Sequence, residues 1–394
     1  MKANPGGQIP LDEIIGRDEF IKNLWSILEQ LSLVLCAERR IGKTSIIKKM
    51  ESEALQKGLV PVFRDLENIA TPMEFVETVY RDVRDFLSKT NRIAKGFTQL
   101  LSRIGGTEIA GIIKLPEFAM SHWKKLLSTT IEDLVENQEQ KMIFFWDELP
   151  WMLQKIKQNS DEKTAMEILD VLRSLRQMHP ELRMVYTGSI GIHNVITSLK
   201  RAGYTNTPLN DMFPIDVPPL SPEYAHKLAK LLIEGEGIKT KDITEASQAI
   251  AEYVDGIPFY IHHVVKQMSL RKHPDIKEDQ GTVSEIVKSI LTDPFDRLDM
   301  RHFLERLDIY YTTDERPFAL SFLDILAMSD QPLIFGELFN RLKSQMETDN
   351  KEMALSMLTL LQRDHYIIQN TDGTYQFRFP LIKRWWRLQR GDDQ

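Results

Sequence analysis

One cysteine in 394 residues rules out an internal disulfide framework and points to a reducing, cytoplasmic compartment. Cys36 lies within an apolar run, where a small buried hydrophobe is its commonest role. Long apolar runs are lacking too. No stretch approaches the roughly 20 residues that cross a bilayer, so no membrane is expected among the partners. Residues Met1 to Gly7 lack the apolar core of a signal peptide. Excess positive charge is also missing: Lys and Arg total 50 against 57 Asp and Glu, a net charge of −7. Any nucleic-acid binding must therefore come from a local patch. Repeats and low-complexity tracts are absent. What remains is an ordinary globular composition, 42% hydrophobic and 27% charged, in a chain long enough for two or three domains.

The hydrophobic pattern changes character along the chain. Apolar residues at Phe20, Leu24, Ile27, Leu28 and Leu31 predict a one-faced helix running to about Gln30. Short apolar runs at Leu33–Cys36, Leu59–Phe63, Met142–Trp146, Arg183–Gly188 and Phe213–Val217 read as strands. Helices are expected between them at Pro72–Leu87, His122–Glu136 and Glu162–Met178, and residues 104–114 read as a turn with a short strand or hairpin. Strands alternating with helices predict a parallel sheet covered on both faces. Beyond Pro218 the strand signal fades. Pro222–Glu234, Thr244–Val254 and Phe259–Leu270 read as a small helical domain. A new segment starts near Pro294, followed by helices at Phe318–Met328, Ile334–Lys343 and Lys351–Arg363. Two alternating runs around Asp372 and Gly373 then form a hairpin signal. Three helices capped by a hairpin is the winged-helix arrangement. The expected division is 1–217, 218–293 and 294–394.

Three motifs carry chemistry. After the first strand, Gly42, Lys43 and Thr44 open a helix. Helix N-terminal N–H groups with a lysine and a hydroxyl suit a phosphate and its Mg²⁺. The first glycine of the usual phosphate loop is replaced by Ala37, tolerable where φ stays negative and prohibitive where the turn demands a positive φ. The second motif is Asp147 and Glu148, two carboxylates ending a buried strand, at the sheet edge where ligands bind in open α/β folds. Asp147 suits a metal, and Glu148 suits activation of the attacking water; the competing reading is a solvated turn cap. The third is Thr187 or Ser189 at the end of the next strand, where a hydroxyl would reach the γ-phosphate. A bare Gly-Ser turn is the alternative there.

Taken in order, Ile15 to Glu19, Glu38 to Ser45, Phe144 to Pro150, Tyr186 to Gly191 and Gly256 to Pro258 resemble the archaeal-type ATPase family. That family is a STAND branch of the AAA+ P-loop NTPases, related to Orc/Cdc6-type initiators. The end of the chain, Tyr375 to Trp386, resembles the family's winged-helix domain. The resemblance implies an α/β P-loop domain, an all-α lid and a C-terminal winged helix. It implies ATP or ADP with Mg²⁺ as cofactors, slow hydrolysis and a nucleotide-driven switch. Phosphate binding would fall to Arg40, Ile41, Gly42, Lys43, Thr44 and Ser45, and the metal to Thr44 and Asp147. Glu148 would activate water, and Ser189 or Thr187 would be the sensor. Gly16 and Arg17 would line the adenine side, and Pro258 would close over the nucleotide.

The output is less legible. Residues 317–394 carry nine basic and ten acidic side chains, net −1. The helix that would enter a DNA groove, Asp349–Arg363, is rich in Met and Leu. Basic residues cluster instead at Arg378 and at Lys383 to Arg390, beside Trp385 and Trp386, as a phosphate-binding patch or as a helix packing its tryptophans inward, the second being favoured. The expected partner is an unidentified protein or a second copy of this chain. The alternatives are an ATP-regulated DNA-binding regulator or mobile-element or defence helper, and an ADP-locked scaffold. Arg173, Arg176 and Arg201 are candidates for an arginine finger, but each reads more simply as part of a solvated helix face.

Overall fold

The computed structural model describes residues 1–87, 107–109, 112–114, 122–138, 140–188, 191–271 and 280–390. These fall into two compact units. One comprises Asp18–Cys36 and Lys43–Val217; the other comprises Met1–Arg17, Ala37–Gly42 and Pro218–Gln394.

The first unit is built on a parallel five-stranded sheet of β1 (Ser32–Cys36), β2 (Leu59–Asp65), β5 (Lys141–Asp147), β6 (Arg183–Tyr186) and β7 (Met212–Asp216). Their spatial order is β2-β5-β6-β1-β7. The short β3 (Thr107–Ile109) and β4 (Ile112–Lys114) form a separate antiparallel pair, so the hairpin expected there is present; residues 104–106 lie outside the described residues. Helices α1 (Asp18–Leu28), α2 (Lys43–Ala54), α3 (Pro72–Leu87), α4 (Trp123–Asn137), α5 (Leu149–Asn159), α6 (Glu162–Met178) and α7 (Ile192–Arg201) complete the unit. From Met142 to Asp147 every residue of β5 is buried, as expected of a central strand covered on both faces. Trp146 stacks on Tyr186 at 5.9 Å and meets Phe75 edge-on at 5.3 Å, which locks β5, β6 and α3 together.

Two expectations change here. Helix α1 buries Ile21, Leu24, Trp25 and Leu28, a face rotated from the one predicted through Phe20 and Ile27. Leu31 lies beyond the helix and is exposed. Arg176 does not lie on a solvated face: it is 7% exposed. It pairs with Asp211 at 2.8 Å, and it donates to the Tyr186 hydroxyl and the Pro208 carbonyl, also at 2.8 Å. An arginine with its donors spent this way is a core anchor, unavailable as a finger.

The second unit is mostly helical: α8 (Pro222–Glu236), α9 (Ile243–Tyr253), α10 (Pro258–Leu270), α11 (Gln280–Leu291), α12 (His302–Tyr310), α13 (Glu315–Met328), α14 (Phe335–Met346), α15 (Lys351–Arg363) and α16 (Pro380–Gln389). The pair β9 (Ile367–Gln369) and β10 (Thr374–Phe377) forms the expected antiparallel hairpin. The two-residue β8 (Leu333–Ile334), which the sequence did not suggest, joins its edge. Trp385 and Trp386 are fully buried. The basic side chains beside them are spent internally. Lys383, Arg384 and Arg387 donate to the carbonyls of Ser329, Tyr253 and Ala327, and Arg390 pairs with Asp324 at 2.6 Å. Packing is thus what this helix does with its amphipathic face. Among the described residues no helix is long and apolar enough to cross a membrane.

Candidate nucleotide site

Parallel register sets the geometry of the sheet's C-terminal edge. Trp146 pairs with Tyr186 across β5 and β6, so the residues that follow, Asp147 and Thr187, emerge side by side. The Thr187 hydroxyl donates to Asp147 Oδ1, and the Glu148 N–H reaches the same oxygen at 3.1 Å. Asp147 Oδ2 accepts from the Thr44 hydroxyl at 2.6 Å. Strand β1 neighbours β6, not β5, so this bond spans one intervening strand and brings the first turn of α2 onto the carboxylate. Asp147 is 3% exposed. A buried carboxylate held by two hydroxyls and an N–H is oriented and satisfied. A carboxylate oxygen facing a threonine hydroxyl at the start of a helix is also the donor set that a hard divalent cation takes, so these residues fit Mg²⁺.

Lys43 opens α2 and is 7% exposed. Before it, the loop turns at Arg40 (φ 71°) and Gly42 (φ 103°). At Gly42 no atom stands within 4 Å of a side-chain position, so backbone conformation alone requires glycine there. Ala37 is not among the positive-φ residues, and its methyl therefore carries no backbone strain. A left-handed residue in such a loop turns successive N–H groups toward one side, the arrangement that receives anions.

Glu148 is also left-handed (φ 55°) and precedes α5, but its side chain makes no capping bond to that helix, which removes the cap reading for it. Thr187 is 1% exposed and bonded to Asp147; its hydroxyl orients that carboxylate. Ser189 lies outside the described residues. Arg17 is buried, and its guanidinium donates to the Ile41 carbonyl at 2.9 Å and the Pro218 carbonyl at 2.7 Å. Burial lowers its pKa to about 10, leaving it charged. It braces the loop through Ile41, itself 1% exposed. Gly16 (φ 69°) lies against Tyr224, whose Cβ stands 2.6 Å from where a side chain would begin. Pro258 takes the first turn of α10, and the preceding Gly256 carbonyl accepts from the Leu220 N–H at 3.0 Å. Ser45 follows Thr44 in the first turn of α2. The Cys36 thiol, raised to about 11 by burial and then by Asp216, stays protonated and inert.

Comparison with solved structures matches the fold over nearly the whole chain. The Walker-type ATPase PABY2304 of Pyrococcus abyssi superposes with a TM-score of 0.61 at 16% identity, covering 95% of this chain and 97% of that one. The ORC2 protein of Aeropyrum pernix, in its ADPNP–ADP complexes, gives 0.55 at 12% identity, covering 98% and 97%. The chain has the Orc/Cdc6-like P-loop ATPase fold. No protein-family model and no curated protein matches the sequence. Within this P-loop fold, Lys43, Thr44, Asp147 and Thr187 converge at the C-terminal edge of the sheet. Sequence reasoning set Arg17 on the adenine side and did not foresee that its guanidinium braces the loop; it missed Arg306 of α12, Asp299 just ahead of that helix and Phe259 of α10. Hydropathy gives no sign of such partners; only an unusual concentration of charge at Glu38 to Arg40 hints that the loop has them.

Proposed function

We propose that the protein is a Mg²⁺-dependent, AAA+/STAND-type ATPase of slow turnover that serves as a nucleotide-driven conformational switch. The observation that carries this is the 2.6 Å bond from the Thr44 hydroxyl to buried Asp147. It joins a helix N-terminus bearing Lys43 to a carboxylate at the sheet's ligand-binding edge. Lys43 and the first-turn N–H groups of α2 would take the β- and γ-phosphates of ATP. Thr44 and Asp147 would hold Mg²⁺, which when bound neutralises charge on the phosphate oxygens. Glu148 would orient and polarise the attacking water, with Thr187 keeping Asp147 fixed. The division into a lid at 218–293 and a winged helix at 294–394 belongs to the same reading. Its support is the order of three helices (α13, α14 and α15) and a hairpin.

A protein partner or self-association is favoured over duplex DNA as the output. In support, Lys383, Arg384, Arg387 and Arg390 are spent on internal acceptors, and DNA affinity comes from free cationic groups that neutralise phosphates. The test is nucleotide binding and hydrolysis by wild type, Lys43→Ala and Glu148→Gln. Lys43→Ala is expected to lose binding, and Glu148→Gln to retain binding and lose turnover. A wild-type protein that neither binds nor hydrolyses ATP would sink the reading.

A further inference from the structure

Anion-binding loops gain nothing from a carboxylate, yet this one contains Glu38, five residues before Lys43 and 3% exposed. Its Oε1 accepts from Arg306 of α12 at 2.8 Å and from the Arg39 N–H at 2.9 Å, with His302 Nε2 at 3.5 Å. Burial alone would raise the pKa of Glu38, but Arg306 and His302 bring it down to about 2, so it stays ionised at neutral pH. Arg306 is itself held. It donates to the Asp364 carbonyl at 2.9 Å, and Asp364 in turn accepts from the Tyr311 hydroxyl at 2.7 Å. The next two loop residues point to the same place: Arg39 and Arg40 both reach Asp299 at 3.2 Å, and Arg40 lies 4.4 Å over the Phe259 ring. Asp299, ahead of α12, and Arg306, within it, thus answer three consecutive charges of the loop with charges of opposite sign.

We propose that Arg306 is a positioning residue for the phosphate loop, acting through Glu38. It neutralises a carboxylate built into the loop and thereby couples nucleotide affinity to the seating of α12 on residues 37–42. The proposal deepens the ATPase reading above and rests on it. The two ends of the pair are not equivalent. Without Glu38, Arg306 keeps Asp364 as a counter-charge. Without Arg306, Glu38 loses its arginine counter-charge and keeps the His302 imidazole at 3.5 Å and the Arg39 N–H as contacts, and a negative charge remains in a loop meant for phosphate. By linkage, a nucleotide that requires the neutralised loop also holds α12 in place.

The experiment compares ADP affinity in the full-length wild type, Arg306→Gln, Glu38→Gln and the double variant. Arg306→Gln is expected to weaken binding by about 10- to 100-fold, within the usual range of site coupling. Glu38→Gln should change it by less than about threefold, and the double variant should return to about that level, as a directly coupled pair does in a double-mutant cycle. A purely structural role for Arg306 would leave the double variant as weak as Arg306→Gln, which overturns the proposal. If Arg306→Gln does not fold, the double variant binding at least about tenfold more weakly than Glu38→Gln overturns it instead. Hydrogen exchange of the peptide covering residues 37–42, measured without nucleotide, separates the two readings. Faster exchange in Arg306→Gln supports the positioning role even if wild type binds no ADP. Unchanged exchange refutes that role even if the ATPase reading stands.

Discussion

Replacing Ala37 by glycine restores the residue that phosphate loops usually carry at that position, and it is expected to loosen nucleotide binding. The reason lies in where the loop bends. Its left-handed residues are Arg40 at 71° and Gly42 at 103°, while Ala37 is not among the positive-φ residues. Glycine at 37 would therefore relieve no strain and would only add freedom to the unbound loop. Such a change costs about 0.4–1 kcal/mol. Borne by the binding-competent loop, that is roughly a two- to fivefold loss of affinity. Gly42→Ala is the control of opposite kind. No atom crowds the position, so its cost is backbone strain of about 1–3 kcal/mol, or roughly five- to 150-fold. Titration calorimetry of ADP with Mg²⁺ against wild type and both variants gives the numbers, and thermal unfolding without nucleotide shows whether the effect is on the loop or the whole fold. Tighter binding by Ala37→Gly would refute the reasoning, because only a strained alanine gains from becoming glycine.

Thr187→Val removes the hydroxyl that holds Asp147 Oδ1. A charge-assisted bond of this kind is worth about 1.5–3 kcal/mol, so turnover should fall at least about tenfold with ADP affinity little changed; equal turnover would mean that Thr187 does not orient the carboxylate. Arg176→Met leaves the Tyr186 hydroxyl and Asp211 without their guanidinium and is expected to cost about 3 kcal/mol in urea unfolding; a loss below about 1 kcal/mol would return Arg176 to the surface reading. Asp255 sits partly buried with its carboxylate accepting from the Leu381 N–H at 2.8 Å, and burial raises its pKa to about 6 against the opposing Leu381 N–H and Arg384. The folded state therefore binds a proton more tightly than the unfolded chain, whose carboxyl titrates near about 3.9. Stability from this group falls as pH rises through roughly 4 to 6, by about 1–3 kcal/mol, and stays low above that window. Asp255→Asn, which keeps the acceptor and tolerates the local φ of 55°, should raise the melting temperature at pH 7 and flatten that slope. Identical pH profiles of melting temperature for wild type and variant would refute it.

The parts of the fold that could be read in advance are those where a local pattern has one physical solution. The buried β5 run had to be a central strand, and two carboxylates closing it had to sit at the sheet's ligand edge. Asp372 and Gly373 had to turn a hairpin, and Gly373 takes φ 83°. Helices with side-chain caps were also legible: α6 is capped by Asp161, α8 by Ser221 and α9 by Asp242. Those passed over include α7 and α12, whose N-caps are Gly191 and Arg301 with no side-chain bond. An arginine on an amphipathic helix looks solvated from sequence whether or not it is. Arg176 differs from its neighbours only through Asp211, Tyr186 and Pro208, which the chain brings back from elsewhere.

The charges of the loop carry this point further. By resemblance, Arg40, next to Arg39, joins Gly42, Lys43 and Thr44 in taking the phosphates. In the fold both guanidiniums go to Asp299, and Glu38 goes to Arg306, a partner 268 residues away. What Arg40 would then offer a phosphate is its main-chain N–H, turned by its left-handed conformation. On the proposed reading, the attraction would come from Lys43 and the N-terminus of α2. The three charged residues before Gly42 instead report where residues 299–306 are seated. Nothing in their local spacing could reveal this, because a charge that binds ligand and a charge that binds a distant helix leave the same mark in sequence.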